Sequence, residues 1–258
     1  MKIDSYFIKK ICAQGNVRTF SDNLLLAILN NLNQLSHKDY ALALNWYKAR
    51  IFDGKRFTKF EADTPPRPEL METYMNFSQG FTDCMTWKGK PMLKTVYDMA
   101  ILNMLIWDLK PQSIIEIGSG NGSSAEYMRD MATTFGLNTK VLSFDINPPT
   151  TRLDRVEFAY ADCNEITSFT LLENTFNALS RPLLVVEDAH VNVENILSYF
   201  ATFHMTTGDY FFVEDTETKQ GAIKDLMGLH INLRIDRKYT DYFGPNMTSA
   251  TNGILKCL

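Results

Sequence analysis

The chain has 258 residues, enough to bury a substantial core as one large domain or as one domain with a helical extension. Its formal net charge is -4, and no stripe of lysine and arginine residues interrupts the mixed charge pattern. This composition excludes the basic surface that nucleic-acid-binding proteins need, so we expect no nucleic-acid partner.

The amino-terminal segment and the cysteines indicate the cellular compartment. Lys9 and Lys10 interrupt the first apolar run, which therefore lacks the core of a signal peptide, and no later stretch is long and apolar enough to span a bilayer. The cysteines show no CxxC spacing, which is typical of reduced structural thiols. They are Cys12, Cys84, Cys163 and Cys257. We expect a cytoplasmic protein without membrane contact.

The first part of the chain is predicted to be helical. Apolar residues recur at helical spacing from Ser21 to Phe52 and predict two helices, broken near Ser36. The next stretch, "FEADTPPRPEL", contains three prolines and has no regular period, as expected for a linker or crossing loop. We therefore divide the chain into a helical extension at 1–85, serving as a lid or oligomerisation region, and a larger domain at 86–258.

Beyond Lys94, short apolar runs alternate with helical segments. Runs rich in β-branched and aromatic residues between helices predict an α/β fold with a mostly parallel, doubly wound sheet covered on both faces. The runs are Ser113–Gly118, Lys140–Ile146, Val156–Asp162, Pro182–Asp188 and Tyr210–Thr216. Ligands of open α/β sheets bind at the carboxyl ends of the strands. We expect the functional site at that edge.

A glycine-rich stretch, "EIGSGNGSS", follows the first predicted strand and leads into a helix. Gly118, Gly120 and Gly122 allow the backbone to turn sharply and to approach a ligand that the helix amides face. Ser123 breaks the GxGxxG dinucleotide fingerprint, and no Lys-Ser/Thr pair follows as in a P-loop. The turn by itself is compatible with several kinds of cofactor.

Two aspartates extend this pattern. Asp145 closes the second predicted strand, where a carboxylate can accept hydrogen bonds from both ribose hydroxyls, and Asp162 closes the third, where adenine edges are usually recognised. Each aspartate alone could cap a helix or a loop. Together with the glycine-rich turn they favour a nucleoside cofactor.

The fourth and fifth predicted strands both end in a Glu-Asp pair, Glu187-Asp188 and Glu214-Asp215. Adjacent carboxylates repel each other unless a cation or hydrogen-bond donors are present. Two such pairs on neighbouring strands would form a site of hard oxygen ligands suited to magnesium or calcium, the alternative being solvated strand ends. Lys90 and Lys94 could reach this site, but a solvated surface position is the commoner one for lysine.

These motifs carry a resemblance to a known family. The pattern ExGxGxG from Glu116 to Gly122 resembles the first motif of class I S-adenosylmethionine-dependent methyltransferases. The stretch from "TWKGKPMLKT" to "SAEYM", with "VVEDAH" and "FFVEDT", resembles the cephalosporin hydroxylase family of methyltransferase-fold proteins. The acidic motifs are also similar to those of metal-dependent macrolide-sugar O-methyltransferases. The resemblance covers about Met85 to the carboxyl terminus, including Asp241–Gly253.

The resemblance implies a Rossmann-like fold and a set of site residues. S-adenosylmethionine would be bound by Glu116, Gly118, Gly120, Gly122, Asp145 and Asp162. A divalent ion, Mg²⁺ or Mn²⁺, would be bound by Glu214, Asp215 and a carboxylate of the fourth strand. That carboxylate matches Glu187, but the relatives usually have aspartate there, so Asp188 competes with it. His190 matches the general base, although it could equally cap the next helix.

The resemblance implies a metal-dependent O-methyltransferase that acts on a hydroxyl of a small natural-product acceptor, in an enzyme that is commonly a homo-oligomer. An N-methyltransferase and a component of cephalosporin-type hydroxylation or methoxylation share the fold and remain alternatives. A non-catalytic S-adenosylmethionine-binding subunit is a further one. A nicotinamide dehydrogenase fits less well, because hydride transfer needs no cation at doubled acidic strand ends.

Overall fold

A computed structural model of the chain describes residues 56–60, 69–80, 82–230, 232–244 and 246–258. The two helices predicted between Ser21 and Phe52 lie outside these ranges. The described strands are β1 (Phe57–Thr58), β2 (Thr86–Trp87), β3 (Lys90–Pro91), β4 (Ser113–Ile117), β5 (Lys140–Asp145), β6 (Val156–Tyr160), β7 (Leu183–Glu187), β8 (Tyr210–Val213), β9 (Leu233–Asp236) and β10 (Ile254–Cys257).

The described helices flank these strands. They are α1 (Glu69–Phe77), α2 (Val96–Leu109), α3 (Ser123–Thr134), α4 (Ile166–Thr170), α5 (Glu173–Asn177), α6 (Val193–Phe203), α7 (Gln220–Leu229) and α8 (Arg237–Thr240), with a 3-10 turn at Thr216–Thr218. No helix within the described ranges combines the length and the apolar character that a membrane crossing requires. Cys84, Cys163 and Cys257 are free thiols.

The main sheet has eight strands in the order β1-β9-β10-β8-β7-β4-β5-β6. The five strands from β4 to β8 pair in parallel, while β10 is antiparallel to both β8 and β9. These five strands are the apolar runs predicted from the sequence, so the mostly parallel α/β architecture is confirmed. The order reverses between β4 and β7, which places a crevice at the carboxyl ends of the central strands.

Both faces of the sheet are buried. On one face Ile115 and Val185 pack with Leu197 of α6 and Ile223 of α7. On the other face Ile114 and Leu184 pack with Leu102 of α2 and Met128 of α3. Burial on two sides explains why the strand sequences are continuous apolar runs without polar alternation. This packing fixes the strand ends on which the site is built.

A short hairpin formed by β2 and β3 lies against α3. The indole N–H of Trp87 donates a hydrogen bond to Asp130 at 2.9 Å, and the ring meets Tyr127 edge-on with 4.9 Å between centroids. The Lys90 ammonium donates to Glu126 at 2.9 Å. The hairpin therefore holds the segment that follows it, Met92 to Thr95, beside the crevice.

Candidate active site

A cleft of about 580 Å³ opens at the carboxyl ends of the central strands. The predicted site residues that line it are Gly118, Gly120, Asp145, Asp162, Asp188, His190 and Asp215. Of the other predicted residues, Glu116, Glu187 and Glu214 are buried, and Gly122 packs inward. The parallel pairing of the strands thus brings the glycine-rich turn and the acidic pairs to a single cleft.

The three glycines of the turn have different environments, although all have positive φ angles. A Cβ on Gly118 would lie 2.7 Å from the backbone carbonyl of Asp188, and a Cβ on Gly122 would lie 2.7 Å from the Phe158 ring. Around Gly120 nothing lies within 4 Å of the corresponding position. Gly118 and Gly122 are therefore required for packing, while Gly120 leaves space open on the cleft side.

Asp145 and Asp162 lie along the same half of the cleft. The Asp145 carboxylate accepts hydrogen bonds from the backbone N–H groups of Gly120, at 3.0 Å, and Asn147, at 2.9 Å. The Asp162 carboxylate accepts one from the N–H of Asn164 at 2.8 Å. The side-chain amide of Asn164 donates a second hydrogen bond to the same Asp162 oxygen, at 3.2 Å. These donors hold both carboxylates at the rim, and each carboxylate as a whole keeps acceptor capacity for a ligand hydroxyl or amine.

Glu116 lies behind the glycine-rich turn and is fully buried. It accepts hydrogen bonds from the hydroxyls of Ser124, at the start of α3, and Ser143, on β5. Burial raises the pKa of Glu116 to about 7, although the nearby Lys94 ammonium opposes the rise. Glu116 ties α3 to the sheet and shapes the turn from behind, at a position where it does not line the cleft.

The two side chains of the acidic pair at the end of β7 lie in different environments, one in the interior and one at the cleft. One oxygen of Glu187 accepts hydrogen bonds from the N–H groups of Ala189 and His190, at 3.1 and 3.0 Å. The other accepts one from the Lys219 ammonium at 2.8 Å. Glu187 is 1% exposed and stabilises the turn, whereas Asp188 lines the cleft.

Asp188, His190 and Asp215 form a cluster in which one ligand atom of each lies within 4.8 Å of the others. The Nε2 atom of His190 is 3.5 Å from an oxygen of Asp188 and 3.5 Å from an oxygen of Asp215. His190 and Asp215 have φ angles of 60° and 46°, a left-handed conformation that is uncommon outside glycine and recurs at functional sites. Carboxylate oxygens at this spacing suit a hard divalent cation.

Lys94 lies beside the acidic strand ends, which is the less common of the two positions that the sequence left open for it. Its side chain is 1% exposed, and its ammonium donates hydrogen bonds to Asp188 at 3.2 Å and to Glu214. Burial lowers the pKa of Lys94, but these carboxylates outweigh burial and raise it above the usual range. Burial and the neighbouring Asp188 raise the pKa of Glu214. Lys90, by contrast, pairs with Glu126 on α3.

A loop near the carboxyl end of the described chain supports the second acidic pair. The N–H of Thr216 donates to the carbonyl of Ser249 at 3.0 Å, and the N–H of Val213 donates to the carbonyl of Gly253 at 2.9 Å. Asp98, buried in α2, accepts hydrogen bonds from the Thr248 hydroxyl and the Ser249 N–H. The role of Asp98 could not be predicted from the sequence, since an aspartate in a helical pattern gives no signal of a partner 150 positions away.

Comparison with known proteins places the chain in a family. The family described as "Rhamnosyl O-methyltransferase/CmcI" matches residues 79–230. The chain is 26% identical over 159 residues to a rhamnosyl O-methyltransferase of Mycobacterium leprae, a match that covers 58% of this chain and 69% of the relative. The match to the Mycobacterium bovis protein of the same name is 24% identical over 138 residues and covers 51% of this chain and 56% of the relative.

Solved structures show the same fold. An apo structure of CmcI superimposes with a TM-score of 0.59 at 24% identity, covering 78% of this chain and 89% of that chain. An Mg-SAM structure of CmcI gives a TM-score of 0.59 at 22% identity, with 81% and 95% covered. The predicted class I methyltransferase fold is thereby confirmed. Because the family match extends over more than half of the chain, the protein belongs to the rhamnosyl O-methyltransferase/CmcI family and is an S-adenosylmethionine-dependent methyltransferase, as the resemblance implied.

Proposed function

We propose that the protein transfers a methyl group from S-adenosylmethionine to a hydroxyl of a small natural-product acceptor, with the help of Mg²⁺ or Mn²⁺. The observation that carries this proposal is the meeting of Asp188, His190 and Asp215 in the same cleft as the open glycine-rich turn. One half of the cleft suits a nucleoside cofactor, and the other suits a cation with an oxygen-bearing acceptor.

The donor half fits S-adenosylmethionine by shape and by hydrogen-bonding chemistry. The space beside Gly120 admits a ligand close to the backbone. Asp145 would accept hydrogen bonds from the ribose hydroxyls, and Asp162 would accept one from the adenine edge. A CmcI structure that shares the fold contains Mg and SAM, which supports the choice of this cofactor.

For the cation we propose Asp188 and Asp215 as ligands. Between the two competing residues after β7, Asp188 is preferred because both oxygens of Glu187 already accept hydrogen bonds inside the protein. The sequence also predicts Glu214 as a ligand. In this structure its carboxylate contacts the Lys94 ammonium, so its role as a ligand stays a prediction. When bound, the ion supplies Lewis acidity that lowers the pKa of an acceptor hydroxyl, and the cofactor supplies the methyl group.

His190 is the proposed general base. Its side chain is 48% exposed at the cleft, so it can take the proton of an acceptor hydroxyl and return it to solvent. The Nε2 atom of His190 lies 3.5 Å from an oxygen of Asp188 and 3.5 Å from an oxygen of Asp215, so the proposed base is next to the proposed cation ligands.

A calorimetric titration tests both halves of the site. S-adenosylmethionine is added to chelator-treated protein with NAD as a control ligand, and Mg²⁺ is then titrated alone. We expect binding of S-adenosylmethionine but not NAD, and a separate Mg²⁺ heat that Asp215→Asn abolishes and Asp225→Asn, on the exposed side of α7, retains. An Mg²⁺ affinity that is equal in the wild type and Asp215→Asn would refute the cation site.

The homo-oligomer, the cytoplasmic location and the boundary at residue 85 remain predictions from the sequence. Sedimentation of the purified protein checks the first. Limited proteolysis followed by mass spectrometry of the resistant fragment checks the boundary.

A further inference from the structure

A hydrogen bond joins the loop that carries His190 to the loop that carries Asp162. The side-chain amide of Asn192 donates to the backbone carbonyl of Cys163 at 2.8 Å. Cys163 directly follows Asp162, and both residues line the cleft. Asn192 follows His190 by two positions and is not among the residues that line the cleft. The bond therefore connects the donor half of the cleft to the proposed base from outside the cleft lining.

Asn192 is held in one orientation by its own neighbours. It occupies the N-cap position of α6 with a left-handed φ of 49°, so this helix is not capped by His190. Asparagine is one of the few residues that adopt this conformation readily. Its Oδ1 atom accepts a hydrogen bond from the Asn195 side chain at 2.7 Å. The NH₂ group of Asn192 is thereby directed at Cys163.

Further from the cleft, the two segments are joined without Asn192. The Phe169 ring of α4 meets the Phe200 ring of α6 edge-on, with 6.0 Å between centroids. The Tyr199 hydroxyl of α6 also donates to the carbonyl of Phe169 at 3.4 Å. This packing holds the helices together, so the bond to Cys163 is needed only where the two loops reach the cleft.

We propose that Asn192 is a positioning residue that places His190 relative to the bound cofactor. A ligand in contact with Asp162 fixes Cys163, and the bond from Asn192 then fixes the loop of His190. Proton removal and methyl delivery act on the same acceptor oxygen, and a base displaced by about 1 Å lowers the rate strongly.

This inference rests on the proposed function, because it takes Asp162 as the adenine contact and His190 as the base. Neither Asn192 nor Cys163 belongs to the predicted cation ligands, so the connection does not depend on a bound ion.

The experiment follows the ring signals of the histidines by NMR at a fixed pH, with a chelator present. S-adenosylhomocysteine is the ligand, because it has no methyl group to transfer. The chain has four histidines, so the signals are few, and His190→Ala assigns the signal of interest. We expect saturating ligand to shift the His190 signal of the wild type.

In Asn192→Gly we expect this shift to be at least about threefold smaller, since an ordinary hydrogen bond changes a conformational equilibrium by about that factor or more. The affinity for S-adenosylhomocysteine, measured by calorimetry, should change less than about threefold, because Asn192 does not line the cleft. A purely structural asparagine would leave the His190 shift of the folded protein unchanged.

The variants are chosen to separate the hydrogen bond from the backbone. Glycine adopts a left-handed φ without strain, so Asn192→Gly removes the bond and leaves the turn allowed. Lys110→Gly is the matched control, since Lys110 has a φ of 51° at the end of α2, is exposed and does not line the cleft. It should keep the wild-type shift.

Asn192→Asp is the second variant. It retains the shape of the side chain but places an acceptor opposite the Cys163 carbonyl, so it should lose the response as Asn192→Gly does. It decides the question if Asn192→Gly does not fold. If neither variant folds, the bond is structural and the inference is overturned.

The outcomes separate this inference from the proposed function. An equal His190 shift in the wild type and Asn192→Gly, with normal ligand binding by both, overturns the inference alone. A wild type that binds the ligand without any His190 shift, or an equal loss of the shift in Lys110→Gly, has the same meaning. The absence of ligand binding by the wild type overturns the donor half of the proposed function and the inference with it.

Discussion

At the residue scale, each acidic pair contains one structural carboxylate and one carboxylate at the cleft. Glu187 and Glu214 contact the buried ammonium groups of Lys219 and Lys94, while Asp188 and Asp215 line the cleft. Asp188 and Asp215 both lie just beyond the ends of β7 and β8, and Asp215 has a left-handed φ of 46°. The chain leaves the strand geometry at each pair, so its two side chains can point to different sides. The doubled motif therefore places a buried carboxylate and a cleft-lining carboxylate at adjacent positions.

His190 should affect the rate through its proton. His190→Ala removes the proposed base, and we expect turnover at neutral pH to fall about a hundredfold or more, with partial recovery at higher pH where the acceptor loses its proton unaided. Rates measured across the pH range test this, with His230→Ala as the control, since His230 interacts with Thr202 instead. An unchanged pH-rate profile in His190→Ala would show that His190 only shapes the turn.

Asp145 should affect cofactor affinity. Asp145→Ala removes the acceptor proposed for the ribose hydroxyls and the partner of the Gly120 N–H, so we expect S-adenosylmethionine to bind about tenfold or more weakly. Mg²⁺ binding should be retained. Asp154→Ala, at an aspartate whose side chain is 79% exposed, is the control. Equal cofactor affinity in Asp145→Ala and the wild type would contradict the ribose role.

At the element scale, the five parallel strands could be predicted because burial on both faces produces long apolar runs. Strands β9 and β10 were missed: each has four residues, and Arg234 and Lys256 interrupt their apolar character. The hairpin of β2 and β3 has two-residue strands, which are too short to show any period. The glycine-rich turn was found because its spacing is local.

The site could be predicted only in part, for a physical reason. Residues at strand ends are brought together by the parallel pairing itself, so Asp188 and Asp215 could be foreseen as neighbours. Lys94 reaches Glu214 across 120 positions of the chain, and its burial depends on the packing of β3 and α2. No local pattern marks such a contact, and lysine is usually solvated.

The glycines of the turn allow a prediction about packing and binding. Gly136 has a positive φ of 73° and open surroundings, so Gly136→Ala measures the backbone strain alone. Gly118→Ala adds a collision with the backbone of Asp188, and we expect it to be less stable than Gly136→Ala by about 1–3 kcal/mol. Gly120→Ala should be close to Gly136→Ala in stability but should bind S-adenosylmethionine more weakly.

Denaturant unfolding and cofactor titration of the three variants provide these values. Equal stability of Gly118→Ala and Gly136→Ala would mean that the end of β7 shifts freely. Unchanged cofactor affinity in Gly120→Ala would place the cofactor away from this turn.

At the scale of the whole molecule, the site introduces buried ionisable groups into the interior. Among these groups Glu116 has a pKa raised to about 7 by burial, against an ordinary value of 4.5. The folded protein keeps this proton up to about pH 7, whereas the unfolded chain releases it near pH 4.5. Folding therefore takes up a proton in this window, and the contribution of Glu116 to stability decreases as the pH rises through it.

Glu116→Gln should remove this pH dependence. We expect the free energy of unfolding of the variant to vary less steeply with pH between about pH 4.5 and 7, since glutamine mimics the protonated acid. The difference in slope should correspond to the uptake of up to about one proton on folding. Denaturant unfolding in the presence of a chelator measures the slope. Glu157→Gln, at an exposed residue paired with Lys140, is the control. A slope equal to that of the wild type would mean that Glu116 is ionised throughout.

The position of β10 in the sheet affects the order in which the fold can assemble during synthesis. This strand lies between β8 and β9, both of which precede it in the chain, and the loop before it bonds to Val213 and Thr216 on either side of the second acidic pair. During synthesis the nucleotide half can assemble early from neighbouring segments, but the corner with Glu214 and Asp215 stays unsupported until Ile254–Cys257 has been made and inserted. A nascent chain would thus be able to form its glycine-rich turn before β10 is available to support the corner that carries Glu214 and Asp215.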